Sequence, residues 1–197
     1  MNPMVRRVLV AALAMVPSVA FAQVPQQVIT DNKVTYGLGA GVSVPVGDAE
    51  KGLERGVVAH GFARFRLTDT ALIPRVDLEY QKFDLKSDAS SPSGNAQMIA
   101  GTFGLQLFLG GATSIRPYLV GGIGAYHLKF ETDGTSLTPG TSESKTRFGL
   151  NGGGGIAFRL NPRLSVYGEI RLANVLNDEG PVDSDLQVVP FTIGVTF

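Results

Sequence analysis

The chain carries only two histidines, His60 and His127, and no cysteine. A metal centre needs His or carboxylate ligands clustered at set spacings, and neither histidine has such neighbours in sequence. A Ser-His-acid set would have to be assembled from distant segments, because no local motif brings the three together. The run Gly152–Gly155 invites a phosphate-loop reading, yet no Lys-Ser/Thr follows it and no helical periodicity opens there. Glycines inside a strand, giving room for close packing and bending, account for it better. The residues richest in chemistry are charges spaced by two: Arg64 and Arg66; Arg75, Asp77 and Glu79; Glu169 and Arg171, with Arg159 nearby. Side chains two apart on an extended chain share a face. If that face is buried, its charges persist only when paired and hydrogen-bonded. The expected arrangement is a network in which Arg171 or Arg64 meets Glu79, Asp77 or Glu169. No catalytic residue, cofactor or metal ligand is expected.

Eight segments with period-two alternation hold these residues. They run about Lys33–Val44, Gly56–Leu67, Ile73–Phe83, Gln97–Leu109, Arg116–Phe130, Arg147–Leu160, Leu164–Val175 and Val188–Phe197. In the second, Val57, Ala59, Ala63 and Phe65 alternate with Val58, His60, Phe62 and Arg64; in the third, Val76, Leu78 and Tyr80 alternate with Arg75, Asp77, Glu79 and Gln81. The fifth places Tyr118, Val120, Tyr126, Leu128 and Phe130 on its apolar face opposite His127 and Lys129, although Leu119 and Ile123 fall on the polar side. The last sets Val189, Phe191, Ile193, Val195 and Phe197 against Val188, Pro190, Thr192, Gly194 and Thr196. Such a strand would be an aggregation hazard in water unless its apolar face and its edge were both covered.

Long polar gaps (45–55, 85–95, 131–145, 176–187) alternate with short ones near 68–71, 110–114 and 161–163. That alternation is what an up-and-down barrel with unlike rims produces. Segments of ten to twelve residues also suit tilted strands crossing an apolar layer of ~25–30 Å. A basic side chain facing lipid at mid-layer costs ~2–4 kcal/mol, and the mid-strand charges Arg64, Asp77, Glu79, Glu169 and Arg171 all fall on the interleaved face. The expected fold is therefore all-β, an eight-stranded antiparallel up-and-down transmembrane β-barrel whose last strand pairs with its first. A soluble periplasmic barrel, its rival, would want the opposite polarity.

The N-terminus, MNPMVRRVLVAALAMVPSVAFAQ, has Arg6 and Arg7, an apolar run from Val8 to Val16, and Ala20-Phe21-Ala22 before Gln23. This predicts a cleaved secretory signal over 1–22 and a barrel domain over 23–197. The apolar run is too short for a ~20-residue transmembrane helix and is broken by Pro17. Formal charge is balanced at +0, and losing the two arginines leaves an acidic excess of two. Nothing points to nucleic acid.

PYLVGGIGAYHLKF (117–130), FGLNGGGGIAFRLNPRLSVYGEIRL (148–172) and the terminal aromatic strand resemble the small outer-membrane β-barrel family that contains OmpX and the N-terminal barrel of OmpA. The resemblance covers nearly all of the expected mature chain. It implies insertion into the outer membrane, beside its lipids and lipopolysaccharide, with Phe191, Ile193, Val195 and Phe197 forming the signal read by the barrel-assembly machinery. With no peptidoglycan-binding domain expected, the chain is similar to the bare-barrel members. The His-x-Ser pair of an eight-strand lipid A deacylase is absent, since His60 precedes Gly61-Phe62 and His127 precedes Leu128-Lys129.

Twelve of the seventeen carboxylates lie in or beside the long gaps, whereas Arg66, Arg75, Arg116, Arg159 and Arg163 cluster toward the short ones. The expectation is a monomeric structural or surface-interaction protein with a side-chain-filled lumen and four acidic extracellular loops, able to meet a cationic partner or diffuse divalent cations. The alternatives are a narrow gated channel for small solutes and, further off, a lipid-modifying enzyme.

Overall fold

The computed structural model describes residues 34–66, 72–86, 94–110, 114–132, 141–176 and 186–197. The predicted signal segment 1–22 lies outside them, as do parts of all the long gaps but the first. The strands are β1 (Val34–Val46), β2 (Gly56–Phe65), β3 (Leu72–Asp84), β4 (Gly94–Phe108), β5 (Ile115–Thr132), β6 (Thr141–Arg159), β7 (Ser165–Val175) and β8 (Leu186–Thr196), with one short helix, α1 (Ala49–Gly52), between β1 and β2. Each strand pairs antiparallel with its sequence neighbour, and β1 pairs with β8, so the sheet is a closed eight-stranded up-and-down barrel. Closure joins the first and last strands, so neither is left as a free edge through the apolar layer. At the seam, Tyr36 and Phe197 exchange both backbone hydrogen bonds at 2.9 Å.

The polarity is that of a membrane barrel. Outward positions carry exposed Leu38, Val42, Val57, Leu78, Phe103, Ile123, Phe148 and Ile193, the last two each 71% exposed. Inward positions carry Arg75, Asp77, Glu79, Glu169 and Arg171, all buried. The outward residues would be a liability in water but suit hydrocarbon. The same parity turns Phe191, Val195 and Phe197 outward beside Ile193.

The interior is layered. Near the short-turn end Phe62, Ile73, Phe108, Tyr118, Val120, Ala157 and Tyr167 form one apolar cluster. Near the long-loop end Leu53, Phe83, Ala96, Met98, Tyr126, Leu128, Val175 and Val188 belong to a second. The charged residues occupy the layer between. Leu53 enters the upper cluster because the first long loop folds over the mouth: Gly47 turns the chain at φ 66°, and Leu53 bridges to Leu85. Lys86 holds the loop down through Nζ to the Glu50 carbonyl, 2.6 Å away.

Two expectations need correction. In β5 the apolar set points inward, not outward: Tyr118, Val120, Tyr126 and Leu128 are buried in the lumen, whereas Leu119, Ile123 and His127 face out. Both faces of this strand are apolar because it supplies side chains to both interior clusters, so alternation alone does not tell lumen from lipid. The third long gap is also shorter than read. β5 runs on to Thr132 and β6 begins at Thr141. β6 meets β7 only from Gly149, so residues 141–148, roughly 25 Å of strand, pair with β5 alone. Above the apolar layer the strand continues as a polar hairpin, where hydrophobic alternation no longer marks it.

Candidate functional site in the barrel lumen

Arg75 is the centre of the charged layer and is fully buried. Its Nε donates to Asp77 Oδ1 at 2.8 Å, and its Nη1 donates to Glu169 Oε2 at 2.9 Å and Gln106 Oε1 at 3.2 Å. Nη2 reaches Glu169 Oε1 at 3.3 Å, and the guanidinium carbon lies 3.6 Å from the centroid of the Phe62 ring. Arg171 grips the same carboxylates from the other side, with Nη2 to Asp77 Oδ1 at 2.7 Å and Nε to Glu169 Oε1 at 2.6 Å. Two guanidinium forks thus share two carboxylates across the lumen, an arrangement that answers the desolvation of all four charges.

Uncharged donors complete the layer. Tyr118 Oη donates to Glu169 Oε2 at 2.8 Å. His60 Nε2 lies 2.8 Å from Asp77 Oδ1, and its Nδ1 lies 3.4 Å from Tyr167 Oη. A carboxylate only accepts, so Nε2 carries a proton toward Asp77. With that proton on Nε2, the 3.4 Å approach of Arg75 Nη2 to the same nitrogen sets donor beside donor and is a packing contact. Glu79 stands aside from the arginines and accepts from Gln81 Nε2.

Of the eight charges read from the sequence, Arg75, Asp77, Glu169 and Arg171 meet in one network, and Glu79 borders it. Arg64, Arg66 and Arg159 do not join. Arg64 is half-buried at the short-turn end, its guanidinium carbon 5.3 Å from the Phe108 centroid, and Arg66 is exposed. The partners that the sequence did not assign are Tyr118, Tyr167, Gln106 and His60. Tyr118 was lost with the inverted parity of β5. It fits beside Glu169 because Gly155 faces it, where a Cβ would meet the Tyr118 ring at 2.5 Å. Gly152–Gly155 therefore sit mid-strand in β6, with no helix to complete a phosphate loop.

The histidines are not brought together. His60 is in the lumen, while His127 is exposed on the outer side near the loops and shares a 2.9 Å hydrogen bond with Thr146. Among the described residues no group of three or more His, Asp or Glu is placed to hold a metal ion. Little space remains beside the charges: a void of about 10 Å³ lies among Asp77, Glu79, Tyr126, Asn151 and Arg171, room for about one water. At the long-loop mouth a larger cavity of about 350 Å³ is lined by Ala49, Leu128, Phe130 and Leu186 with Lys51, Lys145 and Arg147. The described carboxylates of that rim are interleaved with lysines. Asp48 meets Lys51 at 2.7 Å, Glu143 meets Lys145 at 3.0 Å, and Glu131 meets Lys129.

Residues 8–197 match the family model of the outer membrane protein beta-barrel domain. The chain belongs to this family. Among solved structures, this outer-membrane barrel is similar to Neisserial surface protein A, at 14% identity and a TM-score of 0.58, over 83% of this chain and 94% of that one. It is similar to Ail, the attachment invasion locus protein of Yersinia pestis, at 15% identity and a TM-score of 0.52, covering 83% and 97%. A major outer membrane protein from Thermus thermophilus matches at 14% identity and a TM-score of 0.55, covering 83% and 98%. At such identities the likeness is one of fold alone. No match was found among curated protein sequences. The family assignment and the lipid-facing exterior make this an outer-membrane protein.

Proposed function

We propose that this outer-membrane barrel is a monomeric, non-catalytic anchor that strengthens the envelope and displays its four long loops at the cell surface, with the short turns and both termini in the periplasm. The observation that carries the reading is the filled lumen. The Arg75–Asp77–Glu169–Arg171 layer lies between two apolar clusters, and the first loop lays Leu53 over one mouth. Those features favour an anchor over a pore. Catalysis finds little support, because among the described residues no serine or threonine hydroxyl is hydrogen-bonded to His60, whose partners are Asp77 and the buried Tyr167 phenol. The proposal includes cleavage of residues 1–22 on export, outer-membrane lipids and lipopolysaccharide as surroundings, and recognition of Phe191, Ile193, Val195 and Phe197 by the barrel-assembly machinery.

A second reading has its own observation. The 350 Å³ mouth cavity sets Arg147 beside the Lys51–Asp48 pair and Lys145, itself paired with Glu143, over an apolar floor of Leu128, Phe130 and Leu186, which suits a small amphiphile whose anionic group meets Arg147.

Because the sequence lacks cysteine, single introduced thiols report orientation cleanly. Gly52 in α1 has open space around it, and Arg163 is exposed in a short turn. A membrane-impermeant maleimide added to intact cells should label Gly52→Cys and leave Arg163→Cys unlabelled until the outer membrane is opened. Labelling of Arg163→Cys alone on intact cells would invert the orientation and end the surface-display reading.

A further inference from the structure

A second set of charges lies at the short-turn mouth, outside the network. Arg64 on β2, Arg116 on β5 and Arg159 on β6 share the inward parity of the buried residues Phe62, Tyr118 and Ala157, and Arg66 follows two residues after Arg64. Two of these guanidinium groups converge on the same ring, with Arg116 Cζ 4.1 Å and Arg64 Cζ 5.3 Å from the Phe108 centroid. Like charges crowd here: Arg64 is close enough to be repelled by Arg75, Arg116 and Arg66, and Arg116 by Arg159 and Arg66. Among the described residues none of the four is in an ion pair. Arg116 Nε, moreover, is buried without a hydrogen-bond partner among the described residues.

Arginines placed to neutralise phospholipid at a barrel rim would point outward and reach to the headgroups. Arg64, Arg116 and Arg159 instead share the inward parity, with Arg116 over the Phe108 ring and Arg64 at its margin. A planar guanidinium fork matches the oxygens of a phosphate two at a time, and forks already immobilised lose little freedom on binding. We propose that the short-turn mouth binds a phosphate-bearing anion through Arg64, Arg66, Arg116 and Arg159, with the unpartnered Arg116 Nε as one of its donors. Free phosphates and phospholipid headgroups share this chemistry. The site is separate from the loops and from the lumen network, so it stands whether or not the loops act at the surface.

The test uses the full chain folded in a nonionic detergent, with folding of each variant checked by its unheated gel mobility. Calorimetric titration with inorganic pyrophosphate should show saturable binding that chloride at equal ionic strength does not mimic. Affinity should fall about tenfold or more in Arg64→Gln and in Arg116→Gln, fall less in Arg116→Lys, which keeps the charge without the fork, and stay unchanged in Arg163→Gln. A parallel titration compares short-chain phosphatidylglycerol with phosphatidylcholine of the same chain length. Arginine-dependent binding of pyrophosphate alone supports a free phosphate as the occupant. Arginine-dependent binding of a phospholipid, with or without pyrophosphate, supports a headgroup. Binding of neither probe overturns the proposal. So does an equal loss in Arg163→Gln, which would mean diffuse attraction, or a preference for polyglutamate over pyrophosphate, which would point to an acidic polypeptide.

Discussion

Replacing Arg75 with alanine is expected to destabilise the folded barrel by about 3–5 kcal/mol, the cost of removing one partner from a buried ion pair. Arg75 donates to Asp77, Glu169 and Gln106 and has no exposure to water. Its loss leaves two buried carboxylates with Arg171 as their one close guanidinium, and a space where the side chain stood over Phe62. Urea titration in detergent or bilayers would read the loss as a lowered midpoint with an unchanged slope. Arg64→Ala is the natural comparison. It removes a guanidinium of the same size that makes no ion pair and only a long contact with Phe108, so its cost should be well under half as large. Because Arg75 and Glu169 belong to one network, Arg75→Ala combined with Glu169→Ala should cost distinctly less than the sum of the two single changes. Equal costs for Arg75→Ala and Arg64→Ala would remove the network from the account of stability.

The second large effect concerns closure. Residues 37–46 of β1 pair with 187–196 of β8, and this seam alone joins the two ends of the chain. Gly41 faces Thr192 across it, and a Cβ on Gly41 would overlap the carbonyl of Phe191. The clash is with backbone, so no side-chain rotation relieves it. Gly41→Val should force the strands apart, expose two hydrogen-bonding edges inside the apolar layer, and abolish the SDS-resistant, faster- or slower-migrating form that a closed barrel is expected to give in unheated samples. Gly52→Val, at a position with open space around it, should keep that form in full. A Gly41→Val protein that stayed SDS-resistant would place closure elsewhere than at this seam.

These two sites also mark where the sequence was legible. β1, β2, β3, β7 and β8 declare their faces because polar and apolar residues separate cleanly by parity, as in Arg75, Asp77 and Glu79 against Val76, Leu78 and Tyr80. β5 does not, since its lumen side is built from Tyr118, Val120, Tyr126 and Leu128, residues that would serve equally well against lipid. That single ambiguity hid the Tyr118–Glu169 hydrogen bond. The charged residues themselves could be read from spacing, but their partners could not. Arg75 reaches Asp77 along its own strand, whereas its bond to Glu169 crosses the lumen from β3 to β7, 94 positions away. Such a distance depends on the curvature and stagger of the closed sheet, which no local pattern encodes. The upper half of the β5–β6 hairpin was equally silent, because period-two hydrophobicity records the apolar layer and stops where water begins.

The most direct test of the central claim, that the lumen is filled and closed, is single-channel recording of the wild-type barrel in planar bilayers. With Arg75 and Arg171 shared between Asp77 and Glu169 and an apolar cluster on either side, the account predicts a silent membrane after insertion is verified by the gel shift. Discrete, long-lived openings from the wild-type protein would contradict it and make a gated pore the function to pursue.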